Sequence, residues 1–161
     1  MRHRRLPRLD LPSHTYALTC CVDRRRRLFA DAGLAEALVA LWAEARDRGD
    51  FILHGYVVMP DHYHILLTLA GEPSLSNVVR RLHGTFGRMA RARGFQSRRV
   101  WQRRFYDHVV RDDEDWRTKL SYLHDNPARA GLVESAADYP WSSAAFWETG
   151  TGPVTCDGVA W

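Results

Sequence analysis

Residues 51–69, FILHGYVVMPDHYHILLTL, hold two apolar runs separated by a Met-Pro-Asp turn. Both runs are rich in β-branched and aromatic residues, which favour strands, and the Pro-Asp pair favours a turn. The stretch therefore predicts a β-hairpin whose strands are residues 51–59 and 62–70. Two histidines, His62 and His64, stand at the start of the second strand.

Two amphipathic helices and two short strands flank this hairpin. Apolar residues at helical spacing predict one helix over 31–49 and another over 74–94, each ending at a glycine. The segments HTYALTCCVD (14–23) and FYDHVVR (105–111) predict strands. Acidic residues open a third helix in DDEDWRTKLSYLHDNP (112–127), and Pro127 predicts that this helix ends just before it.

The predicted order β-α-β-β-α-β-α is that of a ferredoxin-like split β-α-β fold, an α+β class that includes RNA-recognition domains. It predicts a four-stranded antiparallel sheet with two helices on one face, and a site carried by the third helix on the other. We expect one domain over residues 15–147, after a basic arm (1–14) and before a tail (148–161) whose fold the sequence does not indicate.

The composition is that of a folded protein with a preference for polyanions. The chain has 161 residues, which suits one domain, and a formal charge of +4 from 23 basic and 19 acidic side chains. Its three cysteines do not suggest a disulfide framework, and its apolar runs are too short for a membrane span. We therefore expect a cytoplasmic protein with no membrane partner.

The histidine pair has the spacing of a metal site. Residues i and i+2 of a strand point to the same face, so His62 and His64 are expected to lie side by side, within reach of one ion. Two polar residues on a half-exposed strand explain the spacing equally well. A third ligand would favour the metal site.

The third helix offers candidates for that ligand. Tyr122 and Asn126 are four residues apart and share a face, separate from the apolar stripe of Trp116, Leu120 and Leu123. Asn126 supplies an amide oxygen, although Asn-Pro is also an ordinary signal for a helix end. Two imidazoles and an amide leave the charge of a divalent ion largely uncompensated, so such a site attracts phosphate. A tyrosine beside it could attack the phosphorus atom.

Two segments resemble a known family. HGYVVMPDHYHILL (54–67) resembles the HUH motif of single-tyrosine, single-strand DNA transposases. WQRRFYDHVVRDDEDWRTKLSYLHDNPARAGLV (101–133) resembles the second signature of their REP-associated tyrosine transposase branch. The resemblance implies that His62, His64 and Asn126 bind Mg²⁺ or Mn²⁺ and that Tyr122 is the nucleophile. It also implies a monomer or homodimer that cleaves and rejoins single-stranded hairpin DNA of palindromic repeats through a 5′-phosphotyrosine.

Arginines are expected to hold the backbone of such a hairpin. Nearly all the basic side chains are arginines, and Lys119 is the single lysine. Either phosphate recognition or a GC-rich genome explains this preference for arginine. Each arginine alone is equally well explained as a solvated surface residue. The candidates for DNA binding are Arg4, Arg5, Arg24, Arg25, Arg26, Arg27, Arg80, Arg81, Arg103 and Arg104.

Several alternatives stay open at this point. Tyr63 replaces the hydrophobic residue expected between the two histidines; on a strand it points to the opposite face, so we expect a structural role. Tyr106 competes with Tyr122 as nucleophile, and Lys119 is a candidate for activating the phenol. A non-catalytic nucleic-acid-binding module with an RRM-like sheet, and a metal hydrolase that uses water, are the competing functions.

Overall fold

The computed structural model describes residues 11, 13–71 and 74–158, and within them the chain forms four strands and four α-helices. The strands are β1 (Thr15–Cys21), β2 (Phe51–Met59), β3 (His62–Leu69) and β4 (Tyr106–Val109). The helices are α1 (Ala32–Asp47), α2 (Leu75–Ala92), α3 (Asp113–Arg129) and α4 (Ala144–Thr149). Arg4 and Arg5, in the predicted basic arm, lie outside the described residues.

The strands form one sheet in the order β2-β3-β1-β4, and every neighbouring pair is antiparallel. β2 and β3 are the hairpin predicted from residues 51–69, and β1 lies between β3 and β4. This order and these directions are those of the ferredoxin-like pattern. The predicted α+β class is therefore confirmed.

Each face of the sheet packs against a different set of helices. Tyr16, Leu18, Tyr63 and Ile65 point towards α1 and α2, where they join Trp42 in the main core. Alternate residues along the same strands point to the opposite face, which α3 covers. A smaller apolar cluster fills that second interface: Val57, Met59, Leu66, Val110, Trp116, Leu120 and Leu123. The predicted placement of the third helix on its own face is confirmed.

The long helices begin where the sequence predicts. Asp31, Ser74 and Asp112 are the N-caps of α1, α2 and α3, and the side chain of each accepts a hydrogen bond from a backbone N–H of the first turn. No helix in the described part of the chain is both long and apolar enough to span a membrane.

The predicted end of the third helix is wrong, because α3 continues through Pro127 to Arg129. A proline removes one backbone donor, but so close to the helix end few further bonds depend on it, and its ring is buried. The Ala130 N–H still donates to the Asn126 carbonyl oxygen at 3.0 Å. Gly131, with φ of +71°, supplies the left-handed residue that follows the helix. The extra turn brings Arg129 onto the same side of α3 as Tyr122.

The segment after α3 covers the free edge of β2. Backbone hydrogen bonds of 2.8, 3.0 and 2.8 Å join Val58 to Trp141, Ser143 to Tyr56 and Asp157 to Leu53. Val154 and Cys156, from the segment whose fold the sequence did not indicate, are buried in the main core. The C-terminal residues therefore occupy an edge that would otherwise present unpaired backbone groups to solvent.

A glycine in β2 sets how closely α3 approaches the sheet. A Cβ atom on Gly55 would lie 2.5 Å from Leu120 Cδ1 and 3.2 Å from Ser143 Oγ. We expect Gly55→Ala to lower the free energy of unfolding by about 1–3 kcal/mol, because the buried Leu120 side chain must leave its rotamer or α3 must move away from the sheet. Urea denaturation measures this change.

The matched control is Gly84→Ala, in the middle of α2. A Cβ atom there meets only Arg88 Nη1 at 3.9 Å, so the change should raise stability by about 0.5–1 kcal/mol through helix propensity. Equal effects of the two substitutions would contradict the close approach of α3.

Candidate active site

The histidine pair lies side by side at one end of the sheet, on the face covered by α3. Their ring centroids are 4.9 Å apart and the rings are perpendicular. Nδ1 of His62 is hydrogen-bonded to Asp61 Oδ1 at 2.6 Å, and Nδ1 of His64 to Thr19 Oγ1 at 2.8 Å. Because these partners orient both rings through Nδ1, the Nε2 atoms are the ones available to a metal.

The two imidazoles suit a divalent cation. Burial lowers the pKa of His64 to about 3, and the positive charges of Arg129 and Arg25 act in the same direction. His64 is therefore neutral near pH 7, which is the form that ligates metals. Among the described residues no three His, Cys, Asp or Glu side chains cluster in a way that could hold an ion. The amide oxygen of Asn126 stays the predicted third ligand.

Helix α3 carries a polar stripe along the side next to the histidines. The stripe repeats at intervals of four and three residues, which keeps it on one helix face: Asp115, Lys119, Tyr122, Asn126 and Arg129. The Tyr122 ring lies 5.8 Å from the His64 ring and is 51% exposed. Nδ2 of Asn126 donates to the Tyr122 carbonyl oxygen at 3.3 Å, so Oδ1 is its potential ligand atom. The structure thus brings Tyr122 to the histidine pair, with Asn126 one turn further along.

A small crevice of about 70 Å³ lies between β1, β4 and α3. His64 and Tyr122 line it, together with Lys119, His108 and Tyr106. His108 is held by Asp115, with Nε2 2.8 Å from the carboxylate. Tyr106 is 64% exposed and lies on the strand row of Thr19 and His64, so geometry keeps it as a competitor of Tyr122.

Tyr63, for which we expect a structural role, and His54 of the partner strand are both buried. Tyr63 lies in the main core with its hydroxyl 2.9 Å from His83 Nε2, as the strand alternation predicts. His54 is buried and hydrogen-bonded through both ring nitrogens, to Thr68 at 2.7 Å and to the Asp157 carbonyl oxygen at 2.6 Å. Both side chains therefore have structural partners away from the crevice.

Five arginines surround a second cavity, of about 440 Å³, beyond the end of β1. They come from two loops and are Arg24, Arg26, Arg98, Arg99 and Arg103. The loops are joined by backbone bonds from Asp23 N to Val100 O at 2.7 Å and from Gln102 N to Cys21 O at 2.9 Å. We call this group the arginine cavity. Asp23 also lines it, and this carboxylate already pairs with Arg26 at 3.7 Å.

Arg98 and Arg99 were not among the predicted DNA-binding residues. They follow α2 in a loop that lies some seventy residues from Arg24 and Arg26 along the chain, and Arg26 Nη2 donates to the Arg99 carbonyl oxygen at 2.6 Å. The only feature of the sequence that could have identified them is the pair of adjacent arginines at 98–99. The pairing of the two loops, which only the structure shows, distinguishes this pair from other exposed arginines.

Among the described residues, the other predicted arginines do not line this cavity. Arg25 pairs with Asp61 at 2.9 Å, beside the histidines. Arg81 pairs with Asp50 at 2.9 Å, at the opposite end of β2 from His62, and Arg80 bonds to Asn77 on the same helix. The side chains of Arg27 and Arg104 are exposed.

The fold and this histidine pair beneath a tyrosine-bearing helix define the HUH class indicated by the sequence. The family described as Transposase IS200 like matches residues 10–126, and the chain belongs to that family. The REP-associated tyrosine transposase of Escherichia coli K12 is 33% identical over 99 residues, which are 61% of this chain and 56% of that protein. The match thus spans little more than half of that relative's length.

Two solved structures share the fold. A structure described as a REP-associated tyrosine transposase bound to a REP hairpin has a TM-score of 0.74 and 25% identity, over 96% of this chain and 92% of the other. A Deinococcus radiodurans R1 protein shares the fold, with a TM-score of 0.53 and 18% identity over 76% of this chain and 96% of the other. The resemblance stated from the two sequence segments is confirmed.

The neutral state of His64 can be measured directly. We expect its imidazole NMR signals to show no titration between about pH 5 and 8, because burial and neighbouring cations hold its pKa near 3 against 6.5 for a free histidine. The stability contributed by the neutral ring is complete above pH 6.5 and is lost as the pH falls towards about 3. The spectrum of His64→Ala assigns the signals. A midpoint near 6.5 would contradict the burial of this ring.

Proposed function

We propose that this chain is a metal-dependent transposase or endonuclease that cleaves and rejoins single-stranded hairpin DNA through a 5′-phosphotyrosine. The observation that carries the proposal is the position of Tyr122, exposed at the crevice with its ring 5.8 Å from that of His64. The proposed nucleophile and one potential metal ligand therefore line the same space, and the second ligand, His62, has its ring 4.9 Å from that of His64. Family membership supports the same reaction class.

In the proposed reaction the Tyr122 oxygen attacks the scissile phosphorus and its proton passes to solvent, to which the side chain is exposed. The new O–P bond keeps the 5′ phosphate on the tyrosine, while the P–O3′ bond breaks and the 3′ oxygen takes a proton from solvent to become a free hydroxyl. Attack of a 3′ hydroxyl on the phosphotyrosine reverses these bond changes and needs no ATP. Lys119 lines the same crevice, where its charge would stabilise the negative charge that develops during the attack.

His62, His64 and Asn126 would hold the cofactor, which we propose to be Mg²⁺ or Mn²⁺. Such an ion, when bound, polarises the phosphoryl group and stabilises the leaving oxygen. The chain's own contribution is orientation: Asp61 and Thr19 hold the two imidazoles through Nδ1.

The proposed partner is a DNA hairpin, and we place the protein in the cytoplasm, as a monomer or a homodimer. One structural relative is described as bound to a REP hairpin. In this chain the arginine cavity groups several cations at the same end of the sheet as His62. This follows because β1 ends opposite His62 and continues into the loop that carries Arg24 and Arg26. Cations in such a group bind backbone phosphates without reading sequence.

Two other functions predict different products from the same site. A binding module without catalysis would hold hairpin DNA and leave it intact. A hydrolase that uses water would cut the strand with no covalent intermediate. Neither the binding module nor the hydrolase assigns a role to the exposed Tyr122 beside the histidines.

A denaturing gel with hairpin-bearing single-stranded DNA and Mn²⁺ or Mg²⁺ tests the proposal. We expect wild type to form a covalent protein–DNA band, and Tyr122→Phe and His64→Ala to lose it, with cleavage reduced at least about 100-fold. Tyr106→Phe is the matched control, because Tyr106 lines the same crevice, and it should retain the band.

The other outcomes assign the competing functions. Cleavage that persists in Tyr122→Phe without an adduct would identify water as the nucleophile. Binding without cleavage under either metal would favour the non-catalytic module. Loss of the adduct in Tyr106→Phe alone would move the nucleophile to Tyr106.

The salt dependence of binding tests the arginine cavity. In the Tyr122→Phe background, which prevents cleavage, we expect a steep fall in hairpin affinity with salt. Arg98→Ala and Arg99→Ala should each reduce the slope of log K against log salt by about 1. Arg48→Ala is the control, because Arg48 pairs with Asp50 at 3.0 Å away from the cavity. A flat salt dependence would refute the electrostatic part of the proposal.

A further inference from the structure

Arg129 lies directly on the proposed nucleophile. Its guanidinium carbon is 4.3 Å from the centroid of the Tyr122 ring, and Nη2 donates to the Tyr122 carbonyl oxygen at 2.8 Å. A guanidinium stacked on a phenol ring is a cation–π contact. The contact exists because α3 continues past Pro127 to Arg129.

The charge of Arg129 is not neutralised by the described part of the chain. Within those residues no carboxylate lies within ion-pair distance of its guanidinium, whereas Arg25, on the other side of the histidines, pairs with Asp61 at 2.9 Å. Both arginines act on His64 through their charge. Arg129 is thus a cation in contact with the Tyr122 ring that no described carboxylate pairs with, and Lys119, on the other side of the same tyrosine along α3, likewise has no described carboxylate within ion-pair distance.

A purely structural role would explain part of this arrangement. Cations are favoured in the last turn of a helix, where they face the negative end of the helix dipole. Arg129, however, reaches back almost two turns to the Tyr122 carbonyl instead of bonding the free carbonyls of the last turn. Its guanidinium lies over the Tyr122 ring, and among the described residues the Tyr122 carbonyl is the one acceptor that it bonds, which leaves further N–H donors for an anion at that ring.

We propose that Arg129 contacts a non-bridging oxygen of the scissile phosphate and stabilises the negative charge of the transition state as Tyr122 attacks. The proposal rests on Tyr122 being the nucleophile. The O–P bond to tyrosine forms and the P–O3′ bond breaks, while Arg129 stays protonated throughout and transfers no proton. A guanidinium suits this role, because its fork of N–H donors matches the oxygens of a phosphate group.

A substrate with a neutral scissile group tests this role. The probe is the hairpin oligonucleotide that wild type cleaves, made with either the natural phosphate or a methylphosphonate at the mapped cleavage position. On the phosphate we expect Arg129→Ala to form the covalent adduct about 100–1,000-fold more slowly than wild type, as for loss of an oxyanion donor. On the methylphosphonate, which lacks the charged oxygen, the two proteins should react within a few-fold of one another.

Two further variants separate chemistry from folding. Arg129→Lys keeps the charge without the fork, and we expect a rate between those of wild type and Arg129→Ala on the phosphate. Arg117→Ala, on the same helix but ion-paired with Asp113 at 2.8 Å, should match wild type on both substrates. Hairpin affinity, measured by fluorescence anisotropy, should change less than the adduct rate in Arg129→Ala.

Three results would overturn the inference. An equal loss on both substrates would show that Arg129 only positions Tyr122 or stabilises α3. An unchanged adduct rate in Arg129→Ala, with wild type active, would remove the inference and leave the proposed function intact. If wild type forms no adduct on the natural phosphate, the proposed function and the role of Arg129 both fail.

Discussion

The pairing register between β1 and β3 is the constraint on which the site depends. It places Thr19 opposite His64, so that the Thr19 hydroxyl holds His64 Nδ1 on the α3 face while Tyr63 points into the main core. A slip of one residue would exchange these faces, burying the histidines between the helices and exposing the core tyrosine. The apolar residues that alternate with the histidines therefore fix the site as well as the fold, because the same burial that stabilises the sheet orients the imidazoles.

The position of α3 is the second requirement, and it follows from contacts away from the site. Leu120 packs where Gly55 leaves room, and the apolar side of the helix fills the cluster on that face of the sheet. The polar side is thereby turned towards β1 and the crevice, with Tyr122 between His64 and Arg129. Helix α3 thus has an apolar face that packs on the sheet and a polar face that carries the candidate site residues, as in an amphipathic helix.

Much of this arrangement could be predicted from the sequence, because it depends on local periodicity. Strand alternation identified the histidine pair, and helical spacing placed Tyr122 and Asn126 apart from the apolar stripe. The features that could not be predicted depend on tertiary packing. Arg129 reaches Tyr122 because a buried proline is tolerated in the last turn of α3. Arg98 and Arg99 meet Arg24 only because two distant loops pair, and the C-terminal segment finds its place only against the edge of β2.

The most direct test of the account is to locate the DNA-linked residue by mass spectrometry of the trypsin-digested covalent adduct. Trypsin separates the two candidate tyrosines, since Tyr122 falls in the peptide LSYLHDNPAR (120–129) and Tyr106 in FYDHVVR (105–111). The account predicts that the nucleotide mass is on the 120–129 peptide, at Tyr122. A nucleotide mass on the 105–111 peptide would contradict it and place the nucleophile on β4.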